Sequence, residues 1–232
     1  MQLRTGLIGA GMWGRTHALA YHDDSRTKLT AICDLDEAKA RALAAEFDIP
    51  KIYRTAEELA ADSELDAISV ATPDFAHVQP ALAVINEGKP LLIEKPLATS
   101  VEDAVLISEA AEKAGILAMV DFHNRFNPQF DTAKKRVIDG TLGQVRYIYV
   151  RHSVTRAFPL DMMSWTNRSS SLWFIGSHSA DIARWLMDDE VIEVYGTNTG
   201  GVLQKEGLDV ADLWVSVLRF KNGGVAVLEN GW

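Results

Sequence analysis

The 232-residue sequence predicts an α/β chain of two domains. Residues 1–121 read as a doubly wound parallel sheet, and residues 122–232 as an α/β domain with an open, largely antiparallel sheet. Three observations predict this. Up to Phe122, short apolar runs alternate with segments of helical period; the first run ends in the glycine pattern G-x-G-x-x-G; and beyond Phe122 the strand patterns follow one another without crossover helices. Strands that are apolar on both faces belong in a parallel sheet covered by helices on both sides.

The elements follow in order along the chain. "LRTGLIGAG" is a strand running into glycines, and "WGRTHALAYH" has helical spacing. The strand "KLTAICD" precedes an alanine-rich helix from Asp36 to Phe47, with Asp36 at its N-cap. The strand "DAISVATP", the helix "AHVQPALAVINEG" and the strand "PLLIEKP" come next. A helix from Ser100 to Ala114, closed by Gly115, leads to the strand "ILAMVDF". In the second domain "HNRFNPQFDTAKKRVIDG" supplies one helix, with Asn127 as N-cap and Pro128 at the first helical position. "GQVRYIYVRHS" alternates with period two. "SLWFIGSHSAD" opens a helix, on which Phe174, His178, Asp181 and Trp185 would share a face. "VIEVYGTNTG", "ADLWVSVLRF" and "GGVAVLENGW" are three further strands, the last two joined by the hairpin signal "KNGG". The final pattern runs straight to Trp232, so the chain reads as cut off there, with the second domain incomplete.

Composition bounds the function. A hydrophobic content of 47% can fill a real core, and a net charge of -9 argues against a nucleic-acid groove, which needs clustered cations. Small molecules are the expected partners. The apolar N-terminal run is too short for a secretory signal, and no stretch is long enough to span a membrane. A single cysteine, Cys33, permits no intrachain disulfide and fits a reducing cytoplasm. Six histidines and that one cysteine show no metal-ligand spacing, so no metal is expected.

In "GAGMWG" Gly9 permits a tight turn, Gly11 lets a pyrophosphate approach the backbone, and Gly14 allows close helix packing, with Met12 and Trp13 at the mouth of the loop. Amides at the start of the helix would receive the phosphates. The second strand ends at Asp34, where a carboxylate accepts from the adenosine ribose hydroxyls and repels a 2'-phosphate. NAD is therefore expected rather than NADP. A helix-capping role is the alternative for Asp34, although Asp36 is better placed for it.

"ATPDFAHVQPAL", "LLIEKPLATS" and "HNRFNP" together resemble the glucose-fructose oxidoreductase, inositol dehydrogenase and rhizopine-catabolism family of two-domain dehydrogenases. The resemblance covers essentially the whole chain and implies a Rossmann-type domain followed by a substrate and oligomerisation domain, in a homodimer or homotetramer acting on a polyol or sugar. It implies that Thr72, Pro73, His77, Glu94, Lys95 and Asn124 line the cofactor. Lys95 would contact the substrate hydroxyl, where an ammonium stabilises alkoxide character, held by Glu94 and by a turn that Pro96 stiffens. An exposed strand-end salt bridge is the alternative for Lys95, and a solvated first-turn histidine for His77. Asn124, Arg125, Trp165, His178 and Asp181 would meet substrate, with His178 taking the alcohol proton. Arg125 could instead tie the domains together, and Asp181 could cap local structure. In "RAFPLDMMSWTN" and just before it, Arg151, His152, Arg156 and Trp165 are polar or stacking candidates that are equally well structural.

The sequence departs from the family pattern twice. Serines Ser169, Ser170 and Ser171 replace a glycine cluster, and Phe174 stands where the family has an aspartate four residues before the histidine. A phenyl ring can neither orient an imidazole by hydrogen bonding nor stabilise its protonated form. Three functions therefore stay open: a dehydrogenase of a secondary hydroxyl, an NAD-retaining glycosidase or lyase acting by transient oxidation, and a nucleotide-responsive binding protein.

Overall fold

In the computed structural model, which describes residues 2–232, six parallel strands organise the first of two units, Met1–Asp121 and Phe122–Trp232. Along this first unit run β1 (Leu3–Ile8), α1 (Met12–Asp23), β2 (Thr27–Cys33), α2 (Glu37–Glu46), β3 (Lys51–Tyr53), α3 (Ala56–Ala60), β4 (Ala67–Val70), α4 (Val78–Asn86), β5 (Leu91–Ile93), α5 (Val101–Ala114) and β6 (Ala118–Val120). The sheet order is β3-β2-β1-β4-β5-β6, so the winding reverses between β1 and β4. Successive residues of one strand serve opposite faces: Leu7 packs with Ile32, Leu43 and Phe47, whereas Ile8 packs with Ile68, Val84 and Ile93. That double burial is why the strands read as continuous apolar runs.

Local signals end the helices where the sequence placed them. The Asp36 side chain accepts from the Ala38 and Lys39 amides, Ser100 caps α5, and Gly115 closes it with φ +67°. Two elements were not legible: β3 is a three-residue edge strand, too short for a period. The helix α3 carries a capping box between Thr55 and Glu58 that could have marked it.

The second unit contains α6 (Pro128–Ile138), β7 (Tyr147–Ser153), α7 (Ser171–Phe174), α8 (Gly176–Met187), β8 (Val191–Thr199), β9 (Leu213–Phe220) and β10 (Val225–Gly231). Its sheet has the order β7-β10-β9-β8. The β10–β9 and β9–β8 pairs are antiparallel, and β10–β7 is parallel. Ala183 and Met187 of α8 pack on Leu218, Phe220, Ala226 and Leu228, with Ile148 and Val150 beside them. The other sheet face carries a cross-strand row in register, Tyr149, Val227, Val217 and Tyr195, whose outer members are exposed.

One local expectation fails. The helix that the sequence starts before Phe174 is interrupted at Ile175, so Phe174 ends α7 while His178, Asp181 and Trp185 lie on α8. Phe174 packs with Phe158, Trp165 and Trp232, whereas the rings around His178 are Phe122, His123 and His152. No helix among the described residues is long and apolar enough to cross a membrane.

Candidate active site

In the first unit the glycine loop has the shape a dinucleotide needs. Gly9 holds φ +108°, and a side chain there would run into the Ala71 carbonyl. A Cβ at Gly14 would stand 1.9 Å from the Gly9 carbonyl oxygen, whereas one at Gly11 would meet nothing within 4 Å. The approach over Gly11 is therefore open, and α1 begins there without a side-chain cap. Its first amides remain for an anion. Met12 is exposed at this mouth.

Asp34 braces the loop as well as facing outward. One of its oxygens accepts the Ala10 amide and the other the Asp36 amide, each at 2.7 Å. Beyond Asp34 a cleft is lined by Leu35, Glu37, Arg41, Ile52, Tyr53 and Arg54. The sequence reading missed this cleft, because Arg54 follows the short strand β3. Arg41 pairs with Glu37, and Leu35 is 98% exposed.

At the carboxyl ends of β5 and β6 stand Glu94, Lys95 and Asp121. The Glu94 amide bonds to the Val70 carbonyl and the Asp121 amide to the Ile93 carbonyl. Lys95 is 4% exposed, and its Nζ lies 5.8 Å from the centre of a Trp13 ring. The exposed salt-bridge alternative for Lys95 is thus excluded. Burial pushes the ammonium below its usual range, against the pull of Glu94, Asp74 and Asp121. Burial also opposes ionisation of Glu94, but the His17 ring, the Lys95 charge and the Lys95 amide outweigh it and hold the carboxyl below its ordinary range.

His77 is fully buried. Its Nδ1 lies 2.8 Å from the Pro96 carbonyl and its Nε2 3.0 Å from that of Thr72. The ring thereby ties the Thr72–Pro73 turn to the Lys95–Pro96 peptide, which is cis; the solvated first-turn alternative is excluded. Thr72 adds a hydroxyl bond to the Ala76 carbonyl. Sequence spacing offered no metal set, yet ligand-type atoms of His17, Glu94 and Asp121 gather within 4.8 Å of one another. There the His17 ring already hydrogen-bonds Glu94.

In the second unit His178 is 6% exposed and surrounded by rings. His123 stands edge-on at 4.7 Å between centroids, His152 at 6.1 Å and Phe122 at 6.4 Å. Sequence spacing could not bring His123 and His152 to His178, because they come from separate elements. Asp181 does not turn back to the imidazole: both its oxygens pair with Arg125, whose Nε donates at 2.8 Å. Arg125 also lies over the Phe122 and Trp185 rings. Trp165 packs edge-on against Phe174 at 5.9 Å. Arg151 and Arg156 pair with Glu229 and Glu206, and Asn124 lies in the short 3-10 turn His123–Phe126.

A glycine-loop parallel domain followed by a mixed-sheet domain defines a class of nucleotide-dependent oxidoreductase. Residues 3–122 match the model of the oxidoreductase family with an NAD-binding Rossmann fold, and residues 130–232 that of the GFO/IDH/MocA C-terminal domain. The chain belongs to the Gfo/Idh/MocA family of NAD-binding oxidoreductases. It is 34% identical to inositol 2-dehydrogenase 2 of Saccharopolyspora erythraea, with 99% of this chain and 66% of the relative covered. It is 32% identical to the myo-inositol 2-dehydrogenase of Thermotoga maritima, with 98% and 68% covered. The crystal structure of a probable dehydrogenase from Thermotoga maritima superposes with a TM-score of 0.90 at 29% identity, covering 99% of this chain and 68% of that one. The chain thus spans about two thirds of the length of these relatives.

Proposed function

We propose that the protein is an NAD-dependent dehydrogenase that oxidises a secondary hydroxyl of a cyclitol, sugar or sugar acid. The observation that carries this reading is the buried Lys95 ammonium, set among carboxylates at the strand ends of the unit that also holds the open glycine loop. Gly9, Gly11, Met12, Trp13 and Gly14 would hold the pyrophosphate, Asp34 the ribose hydroxyls, and the cleft of Leu35 and Arg54 the adenine. Bound NAD supplies the hydride acceptor. Lys95 orients the alcohol and stabilises negative charge as it develops on oxygen. Glu94 holds Lys95, and His77 braces the turn that carries it from behind. In the second unit His178 receives the alcohol proton, an assignment made by family resemblance. Asp181 is engaged by Arg125, and the His178 ring packs against His123, His152 and Phe122.

The test is incubation with NAD and a panel of polyols and sugar acids, following nicotinamide absorbance and, separately, product mass. NADH with a ketone product supports the reading. Product without net NADH would replace it by transient-oxidation chemistry, and NAD binding without any product by a binding role.

Asp34 sets cofactor choice in this reading. Asp34→Ser removes a like charge worth on the order of 1–4 kcal/mol against a close phosphate and leaves Arg54 to meet it. The NAD-over-NADP preference, measured by fluorescence titration, is expected to narrow by about tenfold or more. Equal affinities in the unmodified protein would sink the assignment.

The row from Tyr149 to Tyr195, with exposed tyrosines at its ends and the ion pairs Arg151–Glu229 and Arg219–Glu193 on either side, supports a homo-oligomer, because an apolar centre with a polar rim is the make-up of a protein interface. Sedimentation velocity is expected to show a dimer or tetramer that Tyr195→Lys dissociates. The buried, lone Cys33, with its thiol pushed up to about 11 by burial, fits a cytoplasmic location.

A further inference from the structure

His17 lies on α1, three residues after Gly14, and is 6% exposed. Its Nε2 stands 3.1 Å from Glu94 Oε1 and 3.5 Å from Asp121 Oδ2. The N–H therefore donates to Glu94 and leans toward Asp121. The second Glu94 oxygen accepts the Lys95 amide at 3.1 Å. The carboxylate is thus gripped at both oxygens, one by the helix that the glycine loop opens and one by the peptide of the residue it serves. Two buried carboxylates, Glu94 and Asp74, and the partly exposed Asp121 around one lysine carry surplus negative charge, and a donor among them does more than fill space.

We propose that His17 is a positioning residue: by holding Glu94 ionised and fixed in place it sets the Lys95 ammonium, and it couples that ammonium to the helix of the dinucleotide loop. The inference rests on the dehydrogenase reading for the task given to Lys95. Glu94, Asp74 and Asp121 act on Lys95, and the Trp13 ring lies beside it; of these carboxylates, Glu94 and Asp121 are the ones His17 touches. Without the His17 donor, buried Glu94 gains a proton more easily or swings away. Lys95 then loses its nearest countercharge and gives up its proton at lower pH.

The test compares His17→Met and His17→Phe, two space fillers without a ring N–H so placed, with His17→Gln, whose amide nitrogen can reach the place of Nε2. One folded member of the first pair suffices. The full chain is produced with 13C-labelled lysine, and the Lys95 side-chain signal is identified by its loss in Lys95→Arg. Its titration is expected to move down by roughly half a unit or more in the donor-less variants. The alkaline limb of the kcat profile on an accepted polyol should move with it. At neutral pH kcat should fall about tenfold or more, while NAD affinity stays within about twofold. His17→Gln should restore all three. A folded donor-less variant with the Lys95 titration unmoved, or a His17→Gln that restores none of it, would overturn the proposal and leave His17 as packing. If the unmodified protein oxidises no polyol, the dehydrogenase reading fails, and the Lys95 titration still decides on His17.

Discussion

Lys95→Met is expected to lower turnover by about a hundredfold or more, the scale of removing one electrostatic stabiliser from a water-excluded site. It is also expected to lower the melting temperature. A lysine at an exposed strand end would cost little structure when shortened, but Lys95 is 4% exposed, and the carboxyls of Glu94 and Asp74 are just as buried. Taking one partner from a buried charged set costs about 3–5 kcal/mol. The pH dependence has a definite sign. In the unmodified protein the Glu94 carboxyl is held below its usual range. It therefore contributes stability that is present above its unfolded value and lost as pH falls through the folded one. Without Lys95 that depression shrinks, so the stability gap between variant and parent is full from neutral pH down to the unfolded carboxyl value of ~4.3 and narrows only as pH falls further, through the folded values. Melting curves at pH 7 and at about pH 3.5 check this. Unchanged activity would return Lys95 to a structural ion pair.

Phe174→Asp, which restores the family residue, is expected to fail as a repair. Phe174 is 8% exposed, with Phe158 at 5.4 Å, Trp165 at 5.9 Å and Trp232 stacked at 5.8 Å between ring centres. Loss of a buried phenyl costs about 3–5 kcal/mol, and the carboxylate adds the cost of an unpaired charge. Its ring neighbours are moreover not those of His178. We expect a drop in melting temperature with no gain in rate. His178→Asn should keep the fold and lose the activity. Full activity in His178→Asn would make His178 a packed histidine and nothing more. A faster, stable Phe174→Asp would show that the carboxylate can still reach the ring.

Much of this was legible in the sequence because it is local. A strand running into Gly9, Gly11 and Gly14, the Asp36 and Ser100 caps and the period-two runs each state their structure within a few residues. What was not legible depends on contacts between distant elements. Nothing near His17 announces Glu94, and nothing near His178 announces His123 and His152. Asp181 could be named from its position beside His178, but its partner Arg125 lies 56 residues away. The shared face assigned to Phe174 failed for another reason: helical period was carried across Ile175, where the helix is interrupted.

The order in which the second sheet can assemble follows from its register. The hairpin of β9 and β10 closes over the short turn Lys221–Gly224, a small loop-closure cost. β7, by contrast, lies at the edge of the sheet among the described residues and pairs with β10, Tyr147 meeting Val225 and Ser153 meeting Gly231. Contacts of such long sequence separation form late. While the chain is being synthesised, β7 must therefore wait for its partner until Gly231 has left the ribosome, with Ile148 and Val150 uncovered by any strand. Over that interval nascent β7 is an unpaired strand with apolar side chains.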